Sequence, residues 1–104
     1  MARAERIKVR VETRDGVAAR RVLETLRDYT GDRNPWTVRT RRPLVLSHAS
    51  RRAEGVRFEF KAESDEVSLL VQGANARLGL AYAATLLANA RFADLISGFR
   101  VDLP

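Results

Sequence analysis

Cysteine is absent from this chain of 104 residues, which excludes disulfides, thiolate catalysis and zinc sites built on thiolates. The longest uncharged stretch, residues 78–90, is too short for a membrane helix, which needs about 20 residues. The first six residues also lack the apolar core of a signal peptide. We therefore expect a cytoplasmic protein that does not enter the membrane.

Groups that usually carry catalysis are also few. His48 is the single histidine and lies in a serine-containing stretch, where a surface role is more common than a catalytic or metal-binding one. Ser47 and Ser50 have no third member of a catalytic triad, and no glycine-rich phosphate loop follows a strand. The acids within residues 63–66 are typical of a helix start. We predict a non-catalytic protein without a metal or a cofactor.

The charged residues are strongly biased towards arginine. The net charge is +6, the pI is about 11.0, and Lys8 and Lys61 are the only lysines. Arginine makes planar, two-point contacts with phosphate and carboxylate groups. This composition favours a polyanionic partner such as RNA, or an acidic protein surface. The alternative is that these arginines are solvated surface residues.

Period-two alternation of apolar and polar residues predicts strands. Residues 7–11 and 56–62 alternate in this way, and the second of these stretches is the clearest strand signal in the chain. Another extended region begins at Trp36. Pro43 interrupts it, so we expect an edge strand there, or two short strands with a break.

Apolar residues at helical spacing predict two helices. The first covers residues 18–29 and has Val22 and Leu26 on one side. The second follows the capping residue Ser64 and runs from Val67 to about Ala90, with two glycines that allow a neighbouring backbone to approach closely.

The order of these elements is β-α-β-β-α. We predict an α+β fold, a two-layer sandwich in which an antiparallel three-stranded sheet carries two helices on one face. The chain forms one domain over residues 1–104, with a basic insertion at about 35–54 and a short final strand over 99–103.

The basic insertion is the first candidate site. Its arginines flank a loop centred on His48, and pairing of the flanking segments as a hairpin would bring them to one end of the sheet. Such a patch suits contacts to RNA phosphates, with Trp36 and Tyr29 as candidate stacking partners for a base. The predicted RNA-binding residues are Arg39, Arg41, Arg42, Arg51 and Arg52.

The uncharged stretch over residues 78–90 is the second candidate site. On a helix it is apolar on every side, which predicts one stripe on the sheet and another against a protein partner. The residues that we assign to this partner interface are Val22, Leu26, Val71, Leu78, Ala81, Tyr82, Leu86 and Leu87.

A family resemblance rests on the C-terminal half. The strand signal at residues 55–63 leads into Val67-Ser68-Leu69-Leu70, and Asn75, Leu78 and Leu80 follow. This pattern resembles the small dimerisation subunit of the KEOPS complex, which helps to make threonylcarbamoyladenosine in tRNA. Upstream, Leu26-Arg27-Asp28 stands where that family has a helix end. The basic insertion is longer than in the family, as in a divergent member or a paralogue.

The resemblance implies a scaffold subunit without catalysis of its own. Such a subunit forms a dimer with itself or with a paralogue, packs its helices on the catalytic subunit of the tRNA-modifying complex, and has tRNA as a further partner. The alternative from the residues is a stand-alone RNA-binding module with a ferredoxin-like or KH-like fold, although the chain lacks the Gly-X-X-Gly clamp of a KH domain. A small-molecule-binding or enzymatic domain is a third possibility, against which the lack of paired catalytic residues argues.

Overall fold

A computed structural model of the chain describes residues 5–29, 34–63 and 66–102. The described residues contain six strands and two α-helices, and two short 3₁₀ helices, Arg51–Ala53 and Ala90–Phe92, lie in the connections. In chain order the main elements are β1 (Glu5–Thr13), α1 (Ala19–Tyr29), β2 (Trp36–Arg41), β3 (Leu44–His48), β4 (Arg57–Glu63), β5 (Glu66–Gly73), α2 (Ala76–Leu87) and β6 (Ile96–Asp102).

The strands of the described residues form one antiparallel sheet of six, in the order β2-β3-β4-β5-β1-β6. Both α-helices contact this sheet, α1 on β4 and β5 and α2 on β1, β5 and β6. The α+β class is therefore confirmed. The prediction of only three strands is wrong, because β5 and β6 were placed in a helix and a tail, and because β2 and β3 are separate strands.

Strand β5 accounts for the largest difference between prediction and structure. Val67, Leu69 and Val71 are buried, and the residues between them are half-buried. This strand pairs with β1 on one side and β4 on the other, with Val71 opposite both Ile7 and Phe58. Residues 67–73 are therefore extended and not helical. The predicted cap at Ser64 lies outside the described residues.

Two predicted features of the remaining strands are confirmed. The break at Pro43 separates β2 from β3, and the two strands pair as a hairpin in which Arg41 lies opposite Leu44. A final strand is present as β6, where Val101 pairs with Val9 of β1. Of the tail that we predicted, Leu103 lies outside the described residues.

Helix α2 begins at Ala76 and is shorter than predicted. Its inner side holds Ala76, Gly79 and Ala83, and small residues there let the helix approach the sheet closely. A Cβ atom at Gly79 would lie 2.7 Å from Cγ1 of Val56 and 3.2 Å from Cζ of Phe58. The predicted close approach at Gly79 is therefore confirmed: the helix lies directly against side chains of the sheet and of the residue before β4.

The core lies between the helices and one face of the sheet. Val9, Leu26, Leu46, Phe58 and Leu69 are completely buried in it. No polar or charged side chain is buried within the described ranges. None of the helices in the described part of the chain is long and apolar enough to cross a membrane.

Candidate nucleic-acid interface

The hairpin of β2 and β3 separates the predicted RNA-binding arginines into two groups. Arg41 and Arg42 lie at the turn, whereas Arg51 and Arg52 follow the far end of β3, where His48 pairs with Trp36. Four residue steps along β3 correspond to about 14 Å. The prediction that all five arginines converge at one end of the sheet is therefore wrong. The reason is that the turn lies before β3 and the 3₁₀ helix lies after it.

At the turn, the arginines face helix α1 across a groove of about 470 Å³. On α1, the residues at this groove recur at positions i, i+3, i+4 and i+7, so they share one side of the helix. We call this site the helix–turn groove. It is lined by Arg20, Leu23, Glu24 and Arg27 of α1, by Arg41, Arg42, Pro43 and Leu44 at the turn, and by Phe60, Lys61, Ala62 and Glu63 of β4.

Positive charge dominates the helix–turn groove, because four arginines and one lysine face two glutamates. Arg20 and Glu24 form an ion pair of 3.8 Å, but the two side chains are 86% and 52% exposed, so water screens the attraction. The floor is apolar and includes the buried side chains of Leu44 and Phe60. The groove thus combines guanidinium groups at its rim with an apolar surface beneath them.

Sequence reasoning missed Arg20 and Arg27 as site residues. Their spacing on one side of α1, together with Leu23 and Glu24, was the available signal. That signal does not tell which part of the sheet lies beside this side of the helix. The position of the β2–β3 turn supplies this information, and it follows from the sheet order.

The opposite end of the hairpin forms a second, more polar basin of about 400 Å³. We call it the hairpin basin. Its side chains are held by internal hydrogen bonds: Nε of Arg39 donates to Oγ of Ser47 at 2.9 Å, and the backbone N–H of Ser50 donates to Nδ1 of His48 at 3.0 Å. The lining residues are Arg39, Ser47, His48, Ala49, Ser50, Arg51, Ala53, Glu54, Gly55 and Val56.

His48 links the hairpin to helix α2. Its ring stacks on Tyr82 with 4.3 Å between centroids, and its edge meets Trp36 at 4.8 Å. The Tyr82 hydroxyl and Oγ of Ser50 are 2.9 Å apart. Burial lowers the pKa of His48 below its ordinary value, so the imidazole is neutral at pH 7. We expected a surface residue here, and His48 is half-buried and held by these contacts.

Both aromatic residues that we suggested as stacking partners pack within the protein. Trp36 is only 6% exposed and packs edge-on against Phe58 at 4.9 Å. Tyr29 packs edge-on against Phe92 at 5.3 Å, and its hydroxyl accepts a hydrogen bond from Nδ2 of Asn89 at 3.1 Å. Trp36 is therefore not available to a base, and the half-buried ring of Tyr29 is in addition covered by Arg91, whose Cζ lies 5.8 Å from the ring centroid.

The predicted partner interface divides between the core and the surface. The chain's own core takes five of its members at 4% exposure or less, so they are not available to a partner: Val22, Leu26, Val71, Leu86 and Leu87. Leu78 is 37% exposed, Ala81 is exposed and Tyr82 is half-buried. We call the uncharged surface of Leu78, Ala81, Thr85 and Ala88 the outer α2 face.

The acids that we placed at the start of a helix lie instead at the ends of two neighbouring strands. Glu63 and Glu66 are opposite each other on β4 and β5, and Asp65 lies outside the described residues. Within residues 5–29, 34–63 and 66–102, no group of three or more acidic or histidine side chains is arranged to hold a metal ion.

No protein-family model, no curated protein and no solved structure matches the chain.

Proposed function

We propose that the protein is a non-catalytic RNA-binding module that holds RNA in the helix–turn groove. The observation that carries this proposal is the meeting of Arg20 and Arg27 on α1 with Arg41 and Arg42 at the β2–β3 turn. These four guanidinium groups come from two separate elements and surround one concave surface. A grouping of this kind is better suited to a polyanion than the same arginines spread over the surface.

The chemistry of the groove fits RNA in two respects. Guanidinium groups bind phosphate oxygens through two parallel hydrogen bonds, which positions a nucleic-acid backbone without reading its sequence. The apolar floor at Leu23, Pro43 and Ala62 offers a surface for a ribose or an unstacked base. Unpaired RNA presents both groups together, whereas a duplex keeps its bases stacked inside.

The narrower assignment, to a scaffold subunit of the complex that makes threonylcarbamoyladenosine in tRNA, depends on the sequence resemblance alone. The residues that carry it are divided between two elements: Leu69 and Leu70 lie on β5, and Asn75, Leu78 and Leu80 lie at the start of α2. RNA binding at the groove is compatible with that assignment and does not require it.

The double variant Arg41→Gln/Arg42→Gln should bind RNA about 10- to 100-fold more weakly than the wild type, because two charge-assisted phosphate contacts are lost. Fluorescence anisotropy with a labelled tRNA, repeated over a range of salt concentrations, measures this effect. The slope of log affinity against log salt should become shallower by about 1.4–1.8, since each lost phosphate contact accounts for about 0.7–0.9.

The matched control is Arg6→Gln/Lys8→Gln, which removes the same charge from β1 on the face opposite the buried Ile7 and Val9. This control should lose only a small, non-specific part of the affinity. The groove proposal is wrong if the two double variants lose equal affinity, or if the wild type shows no salt-dependent binding to tRNA.

A second candidate function, docking on another protein, is favoured by the outer α2 face. Leu78 is the one large apolar side chain that is exposed among the described residues, and no charged residue follows it until Arg91. Exposed Ala81, Thr85 and Ala88 continue the surface along the helix. An uncharged helix surface of this kind suits contact with an apolar helix of a partner.

Ala81→Glu should abolish assembly with a partner on this face, because an unpaired carboxylate would be buried at the contact. The measurement is light scattering after size exclusion of the protein co-expressed with the catalytic KEOPS subunit. Thr37→Glu, at an exposed position of β2, is the control and should assemble normally. Leu87→Glu is unsuitable because Leu87 is buried and the variant would disrupt the core. If the wild-type protein does not co-elute with the catalytic subunit, that subunit is not its partner.

A further inference from the structure

We propose that the hairpin basin is a second anion site, in which Arg39, His48 and Arg51 bind a single phosphate group. This site lies at the other end of the hairpin from the helix–turn groove, and it does not depend on RNA binding there. The phosphate could belong to a nucleic-acid terminus or to a small phosphorylated molecule, since both present the same group.

Arg39 is positioned for this role by its strand. The pairing of β2 with β3 shifts register between Val38 and Thr40, so Arg39 lies in a bulge, a feature that re-aims side chains. Its Nε is held by Oγ of Ser47 at 2.9 Å. The two terminal nitrogens of this guanidinium make no hydrogen bond within the described part of the chain. They therefore form a fixed pair of donors that suits two phosphate oxygens.

His48 contributes a donor even when it is neutral. Because the Ser50 N–H donates to Nδ1, Nδ1 must act as an acceptor, and the hydrogen of the neutral ring lies on Nε2. Stacking on Tyr82 fixes the plane of the ring. A neutral imidazole with a defined N–H can bind phosphate without the cost of burying another charge.

Arg51 is placed by the 3₁₀ helix that follows β3. Ser50 caps this helix, since its Oγ accepts a hydrogen bond from the backbone N–H of Arg52 at 3.2 Å. Arg51 is exposed and lines the same basin as Arg39. Three donor groups from the hairpin and from the 3₁₀ helix therefore share one concave surface.

The charges around the basin favour an external anion. Several arginines of the sheet are already paired: Arg57 with Glu59 at 2.7 Å, and Arg100 with Glu12 at 3.1 Å. Neither Arg39 nor Arg51 has a carboxylate partner within the described residues. Glu54 is the one acidic residue that lines the basin, and it is outnumbered by the two arginines. A dianionic phosphate would balance this charge better than a carboxylate would.

Inorganic phosphate is the probe that tests this site. The NMR signals of His48, the single histidine, report whether phosphate is bound. In an NMR titration at constant ionic strength, phosphate should shift the His48 ring signals in a saturable way, whereas chloride should not. The bound dianion should also raise the pKa of His48, because it favours the charged imidazole. Arg39→Gln and Arg51→Gln should each weaken phosphate binding about tenfold, which corresponds to about 1.4 kcal/mol.

Arg6→Gln is the control, because it removes the same charge from β1, outside both proposed sites, and it should leave the response to phosphate unchanged. An unaltered signal from Trp36 fluorescence establishes that each variant is folded. Equal responses to phosphate and chloride would overturn the proposal, and so would normal phosphate binding by Arg39→Gln. If Arg41→Gln/Arg42→Gln loses RNA affinity but keeps the wild-type His48 response to phosphate, the two sites bind independently.

The source of the phosphate is decided by comparing two probes at the same site. An RNA oligonucleotide with a 5′-phosphate that outcompetes its unphosphorylated form indicates a nucleic-acid terminus. Equal competition by a simple phosphate monoester indicates a small phosphorylated ligand. Both results require the same three side chains, and failure of both probes to displace inorganic phosphate would contradict a biological role for the site.

Discussion

Replacing Gly73 with alanine is expected to lower the free energy of unfolding by about 3 kcal/mol or more. Gly73 ends β5 with a φ of +146°, a conformation that side chains rarely adopt. A Cβ atom there would lie 2.6 Å from the carbonyl oxygen of Gly55 and 3.1 Å from Cα of Val56. These are backbone atoms, which cannot rotate away as a side chain could. The strand and the loop before β4 must therefore separate.

Chemical denaturation followed by circular dichroism measures this loss. Gly98→Ala is the matched control, because its nearest neighbour, Oε2 of Glu12, would lie at an ordinary distance of 3.9 Å. The control should change stability by less than about 0.5 kcal/mol, as surface substitutions usually do. If both variants were equally stable, the close contact between residues 73 and 55 would not exist in solution.

Phe58→Ala is expected to destabilise the protein by about 3–5 kcal/mol, the usual cost of deleting a fully buried phenylalanine side chain. Phe58 has no exposed surface and lies at the centre of the sheet, opposite Leu46 on one side and Val71 on the other. It also supports the Trp36 ring. The cavity would open beneath both the hairpin and helix α2, since Phe58 lies close to Gly79.

Urea unfolding followed by Trp36 fluorescence tests this expectation, because Trp36 is the only tryptophan. Phe99→Ala provides the comparison: the residue type is the same, but Phe99 is half-buried on the edge strand β6. Its loss should cost about half as much or less, since less apolar area returns to water. Equal losses at the two positions would mean that Phe58 is not in the core.

The parts of the fold that could be predicted are those in which a single local pattern is present. Residues 7–11 and 56–62 alternate strictly between apolar and charged, and they lie in β1 and, apart from Val56, in β4. Pro43 cannot donate a backbone hydrogen bond, and its position correctly marked the break between β2 and β3. In these places no competing pattern occupies the same residues.

Strand β5 could not be predicted because its sequence satisfies two patterns. Val67, Leu70 and Val71 fit a helix, whereas Val67, Leu69 and Val71 fit a strand. The strands on either side, β1 and β4, decide between them by hydrogen bonding to both edges of the segment. Of these partners, β1 is more than 50 residues away in the sequence, so no local rule includes its contribution.

The lining of the candidate groove could be anticipated only in part, for a similar reason. Density of arginine along the chain identified Arg41 and Arg42, but it could not show that α1 lies beside their turn. The same limit applies to the partner interface. Val22 and Leu26 are apolar, which is equally consistent with a core and with an exposed contact, and only packing against the sheet shows that they are core residues. Periodicity gives the face of a helix, and tertiary structure gives its neighbour.

The position of β1 in the sheet has a consequence for the order in which the protein folds during synthesis. This strand is synthesised before β2, β3 and β4, yet it pairs with β5 and β6, which are synthesised after them: Ile7 pairs with Val71, and Val9 pairs with Val101. Contacts between such distant segments slow folding. The β2–β3–β4 meander has partners close in sequence and can form earlier. We therefore expect β1 to remain unpaired in the nascent chain until β5 has been synthesised, with its apolar side chains exposed in the meantime.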